Sequence, residues 1–310
     1  MTYDKSKVQE LLAEAAAGCY RQNGFPQGKK PPASNFVDLT PEKYTDFSQV
    51  LSALGQNNEA STQEKIKKFS PLADGVNSAL QQMGITTMEM LSNEGATAIV
   101  LRGWGKDYPN GCVVRMVNSH AEGKAAPTPI VLQPYDSKFV NASGAIAPDP
   151  LAATAKRDPV TREPLPSGAR IDLLPEVVSL GQVTKFLVSN GKLAEEDAAS
   201  FKDEAYKQFY KALPTEYVSN DHNIANLCVL PNGSVITYDL GSIEENNNPK
   251  RYQKMLSMAE STGMSPEEVG STAADMSGKL HQAQEQLQAG QKKPPVSPSN
   301  KQSPPLKMKM

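Results

Sequence analysis

An α+β protein, with a small antiparallel sheet flanked by helical segments, is predicted by three features of this 310-residue chain. The hydrophobic period is helical over roughly the first 85 residues and becomes strand-like between 88 and 117. Turn residues separate the strand-like runs at hairpin spacing. After residue 180 the helical period returns, interrupted by one short apolar hairpin. These changes divide the chain into a helical N-terminal extension, 1–85, a sheet region, 86–178, and a mainly helical region, 179–290. The stretch 291–310 carries five prolines, five lysines and no aromatic residue, and is predicted to be disordered.

Within the extension, Val8, Leu11, Leu12 and Ala15 share one helix face between Lys5 and Tyr20. A Pro/Gly-rich loop follows over Gly24 to Ser34. Thr40-Pro41 reads as a cap and first helical position, with Lys43 already in the helix. A third helix spans about 62–83 and is expected to kink near Pro71. In the sheet region, Met88–Leu91, Ala98–Trp104 and Cys112–Val117 form a three-strand meander with a turn at Pro109-Asn110-Gly111. Ile130–Gln133 and Arg170–Leu174 are further extended runs, and the proline-rich stretch 141–167 between them is an inserted loop. Helices are predicted over Leu180–Val188, Glu195–Leu213, about 249–260 and 265–289, with a hairpin over Leu227–Leu230 and Val235–Tyr238.

Composition narrows function mainly by exclusion. A formal net charge of −2 provides no electrostatic footprint for nucleic acid. Cys19, Cys112 and Cys228 lack metal-site spacing and read as reduced thiols used as small apolar residues. The N-terminus carries no apolar signal-peptide core, and no run is long and apolar enough to span a membrane. The expected setting is cytoplasmic, or a host cell reached by a route without a cleaved signal. The tail lysines read as solvated coil, with weak attraction to acidic lipid as the alternative. Trp104, the single tryptophan, reads as a packing residue, and His120 and His222 as polar loop residues.

The segment Asp221-His-Asn-Ile-Ala-Asn226-Leu-Cys-Val-Leu-Pro-Asn-Gly-Ser-Val-Ile-Thr-Tyr-Asp239-Leu-Gly241 carries the chemistry. It has an acid, a carboxamide five residues on, a tight hairpin, and a second acid at the exit of an apolar strand. Phosphoryl transfer from a nucleotide needs a carboxylate to orient the attacking hydroxyl, and oxygen donors to hold the magnesium ions bridging the phosphates. The hairpin predicts that Asn226 and Asp239 lie side by side.

This segment resembles the catalytic loop and the Asp-Phe-Gly motif of the protein-kinase-like superfamily, with Leu240 in place of the phenylalanine. The resemblance implies a two-lobed fold that uses ATP and Mg²⁺. It makes Asp221 the catalytic base, and Asn226 and Asp239 the metal ligands. It places Gly95, Ala96 and Thr97 in a reduced glycine-rich loop, Arg115 on the strand that presents a phosphate-pairing cation, with Lys106 as a fallback, and Glu176 at the hinge beside adenine. Glu122 is the nearest candidate for the helix glutamate that would pair with the cation. Ser219-Asn220 replaces the usual His-Arg, and no Ala-Pro-Glu follows, so the resemblance is to an enzyme without a phosphorylated activation loop. In compactness the chain is similar to kinase-like effectors that bacterial pathogens deliver into host cells, which implies a protein substrate, host proteins included. Arg115 also suits small-molecule kinases of the choline-kinase-like group. A pseudokinase scaffold is the third reading.

Overall fold

The computed structural model describes residues 4–22, 43–92, 98–118, 130–147, 168–214, 217–219, 224–239, 243–245 and 266–292. The expected helix at 249–260, the stretch 148–167 and the tail beyond 292 lie outside them. The architecture is α+β: a six-stranded antiparallel sheet, a smaller three-stranded sheet, a two-stranded pair, and helices packed into two hydrophobic cores.

The large sheet has strands β1 (Lys43–Tyr44), β2 (Thr87–Ser92), β3 (Ala98–Trp104), β4 (Cys112–Val117), β5 (Asp136–Val140) and β6 (Ala169–Leu174), in the spatial order β1-β2-β3-β4-β6-β5. The meander forms as its turn chemistry requires, with Gly111 at φ 89° closing the β3–β4 turn. Alternation then sorts the side chains. Met88, Ile99, Leu101, Val114, Met116, Ile171 and Leu173 enter one core, beneath α2 (Phe47–Leu54), α3 (Ala60–Phe69) and α4 (Ala73–Gln82). The opposite face carries Glu89, Arg102, Arg115, Arg170 and Asp172, all of them buried.

Several expectations change at this level. Lys43 and Tyr44 are paired to β2 rather than helical; α2 begins at Phe47, capped by the Asp46 side chain, which accepts from the Ser48 N–H at 2.6 Å. The kink at Pro71 is a 3-10 turn, Ser70–Leu72, between α3 and α4. Strand β5 is not among the expected elements. It pairs with β6, and its turn over 141–147 lies against α4 so closely that a Cβ at Gly75 would meet the Gly144 carbonyl at 2.0 Å. The predicted loop therefore begins with the tight return of a strand.

The second core gathers α1 (Val8–Gln22), α5 (Leu180–Ser189), α6 (Ala198–Ala212), the C-terminal part of α7 (Pro266–Lys292), and the three-stranded sheet β10-β9-β7. In that sheet β7 is Val178–Ser179, β9 is Leu227–Val229 and β10 is Val235–Thr237. Strands β8 (Tyr217–Ser219) and β11 (Ile243–Glu245) form the separate pair. The stretch 1–85, read as one extension, is shared between the cores, with α1 in the second and α2–α4 in the first. Val113 of β4 packs against the second core and Leu174 of β6 belongs to it, so the charged face of the large sheet is turned toward it.

Candidate functional site

The hairpin β9–β10 pairs Leu227 with Thr237 and Val229 with Val235, and turns through Pro231-Asn232-Gly233. Gly233 has φ 82°, which suits glycine. A Cβ there would also meet the Ala13 backbone nitrogen at 2.6 Å, because α1 lies across the turn. Gln9 donates to the Asn232 carbonyl at 3.3 Å, and the Tyr20 hydroxyl to the Val229 carbonyl at 3.0 Å. On the other side, Leu132 N–H donates to Thr237 O at 2.8 Å and Thr237 N–H to Ile130 O at 2.9 Å. That outer segment is held in turn by α7: Gln284 accepts from Gln133 N–H at 2.9 Å and donates to Val131 O at 3.0 Å. The hairpin is thus gripped by segments from both ends of the described chain.

Asn226 and Asp239 stand at its open end. Thr237 Oγ1 donates to Asn226 O at 3.2 Å and accepts from Asp239 N–H at 3.1 Å, which ties the two positions together. The Asn226 amide lies 3.4 Å from Asp239 Oδ2, and both residues are half-buried. From β4 the Arg115 guanidinium reaches to 3.6 Å from Asp239 Oδ1. Three predicted site residues, Arg115, Asn226 and Asp239, therefore converge from two different sheets. Asp221, Gly95, Ala96, Thr97 and Glu122 lie outside the described residues, as do His120 and His222.

Glu176, expected beside adenine, has its carboxylate turned into the protein. It is paired with Arg102, which also stands 3.9 Å from Glu89. All three side chains are buried, and burial raises the Glu176 carboxyl above its ordinary range, against the pull of Arg102. Lys106 is exposed, on the turn after β3. Trp104 stands at the end of β3, with Lys43 Nζ 4.8 Å from its ring centroid. The three cysteines are buried and form no disulfide; burial pushes the Cys19 thiol up to about 11 and Cys112 to about 12, so neither is a thiolate at neutral pH.

Sequence reasoning missed Asp172. It is fully buried on β6 and accepts at Oδ1 from Arg170 Nε at 2.8 Å and Ser137 Oγ at 2.6 Å. Its register partner on β4 is Arg115. Only strand pairing reveals that relation, and no spacing signal in the sequence carries it.

Here the Asn226 amide nitrogen faces Asp239 Oδ2; with the amide turned over, its oxygen and that carboxylate would be hard donors of the kind Mg²⁺ accepts, the ion usually completing its shell with waters and substrate phosphates. Among the described residues there is no group of three or more His, Cys, Asp and Glu that could hold a metal alone. The donors present fit an ion shared with a phosphate ligand better than a resident structural metal. No protein-family model matches this chain, and no curated protein matches it either. Among the described residues no helix is long and apolar enough to cross a membrane.

Proposed function

We propose that this chain is an ATP- and Mg²⁺-dependent phosphotransferase with a two-lobed, kinase-like fold, transferring phosphate to a protein hydroxyl. The observation that carries this reading is the meeting of Arg115, Asn226 and Asp239: a cation from the sheet 3.6 Å from the acid at the exit of the hairpin, with the carboxamide 3.4 Å from the same acid. Arg115 lies on the third strand of the meander that starts at Thr87, the place from which kinases present their phosphate-pairing cation. In this reading the large sheet and α2–α4 form one lobe, and the second core forms the other.

The division of labour follows from the side chains. Asn226 and Asp239 hold the metal, whose charge offsets that developing on the phosphates. Arg115 supplies a fixed positive charge and N–H donors to phosphate oxygens. Asp221, five residues before Asn226, orients the acceptor hydroxyl. Delivery into a host cell and a host protein as acceptor belong to the same proposal, by analogy with compact effector kinases.

Incubation with labelled ATP and Mg²⁺, beside an Asp239→Ala control, tests it. Label should reach protein, and the control should lose about a thousandfold or more of the rate. Turnover that requires a metabolite acceptor would move the enzyme to the small-molecule kinases. A nucleotide-binding scaffold is the runner-up, favoured by the Arg115 guanidinium 3.6 Å from Asp239, where it competes with a metal ion for that carboxylate. Magnesium-independent nucleotide binding without transfer would establish it.

A further inference from the structure

A cation that grips phosphate must itself be held, and in protein kinases a helix glutamate does this. Here a different carboxylate faces the cation across the sheet. Asp172 is directly opposite Arg115 in the β4–β6 pairing, on the same face of the sheet, where side chains start about 5 Å apart. It is fully buried, and its Oδ1 is committed to Arg170 and Ser137, which hold its orientation. Its Oδ2 has no hydrogen-bond partner among the described residues. A buried carboxylate oxygen without a donor is costly and calls for a partner in some state of the protein. The guanidinium of Arg115 is meanwhile directed at Asp239, the acid assigned above to the metal.

We propose that Asp172 is the positioning carboxylate of Arg115. When a divalent cation takes the oxygens of Asp239, the guanidinium turns to Asp172 Oδ2 and keeps its remaining N–H donors for the nucleotide phosphate. This rests on the nucleotide-and-metal reading of the site. Two effects drive the turn. The ion repels the guanidinium from the shared acid, and Asp172 Oδ2 offers it a second buried carboxylate oxygen across the strand pair. Asp172 does so without moving, because β6 is flanked by β4 and β5 and its other oxygen is tied. The metal and Arg115 then act on one nucleotide without competing for one carboxylate.

The test is nucleotide binding by calorimetry on the full chain, with ADP, in Mg²⁺ or in EDTA, for wild type, Asp172→Asn, Arg115→Met and the double variant. Asp172→Asn should weaken binding about tenfold in Mg²⁺ and less than about twofold in EDTA, and should have no further effect once Arg115 is methionine. Equal weakening with and without the metal, or an effect that persists beside Arg115→Met, overturns the proposal and makes Asp172 a purely structural residue. Arginine side-chain nitrogen NMR on the wild type avoids any dependence on whether a buried substitution folds. Adding Mg²⁺ and ADP should move the Arg115 Nε resonance, and an unmoved resonance with nucleotide bound overturns the idea. If the wild type binds no nucleotide in either condition, the function proposed above falls first, and this inference with it.

Discussion

The hairpin region and the large sheet differ in the polar side chains they bury. Against the second core, the buried polar side chains around the hairpin are uncharged: Thr184, Ser234, Thr237 and Gln284. The large sheet instead buries Glu89, Arg102, Arg115, Arg170 and Asp172 on one face, and Glu176 joins them from the segment after β6. Charges are expensive away from water unless compensated, so the sheet carries a local electrostatic cost that the hairpin region does not. The assembly differs as well. The sheet is built largely of strands adjacent in sequence, whereas the hairpin is secured by α1 and α7, with hydrogen-bond partners more than 150 residues away. The sheet supplies the charge, and the helical core supplies a rigid frame in which one hairpin can meet it.

That contrast can be broken most forcefully at Arg102. Arg102→Met leaves Glu89 and Glu176 buried without their shared cation, and should cost about 3–5 kcal/mol in chemical denaturation. A cost under about 1 kcal/mol would show that the sheet tolerates its charges by other means. The helical frame is tested next by Gly233→Ala. The left-handed backbone and the contact with Ala13 together should cost about 2 kcal/mol and weaken the grip of α1 on the turn, read as faster amide exchange in β9 and β10. Tyr20→Phe removes one buried hydrogen bond to the same hairpin and should cost about 1 kcal/mol by thermal melting.

Two pH experiments sharpen the comparison at smaller scale, with opposite signs. Burial raises the Glu176 carboxyl above its unfolded value of 4.5, so its protonated form favours the fold. That contribution is fully present below the unfolded value and is lost as pH rises through the raised one; Glu176→Gln should flatten the decline. Asp46 is the reverse case. Hydrogen bonds from Ser48 hold its carboxyl below 3.8, so its contribution is present above that value and lost as pH falls through the lowered one. Asp46→Ala should cost about 1 kcal/mol at neutral pH and nothing at strongly acid pH, by denaturant titration.

Much of the fold was legible because local chemistry specified it. The meander at 88–117, the break at Pro71 and the Pro231-Asn232-Gly233 turn each follow from residues whose backbone preferences leave few options. The neighbouring placement of Asn226 and Asp239 followed from that turn alone. What stayed hidden depended on distant partners. Asp136-Ser-Lys-Phe-Val140 is a strand only because β6 offers it an edge, and its own composition does not distinguish it from the loop beyond. Thr40-Pro41 carries the capping chemistry of a helix start, but the pairing of Lys43 and Tyr44 with β2, invisible in the local sequence, puts the helix start at Phe47. The helical pattern of α1 was plain, but not that it would lie across the hairpin. Glu176 pairs with Arg102 and Asp172 stands opposite Arg115, relations between separate segments of the chain that no local pattern carries.

The docking of α7 has a consequence for how the protein comes into being. Gln284 and Gln288 hold the backbone of Val131 and Gln133, which in turn borders the strand leading to Asp239. A nascent chain therefore reaches the edge segment and the hairpin well before the helix that secures them has left the ribosome. Until α7 docks, the edge segment is open to cleavage and to pairing with other chains, so the hairpin is secured only after that helix has been made.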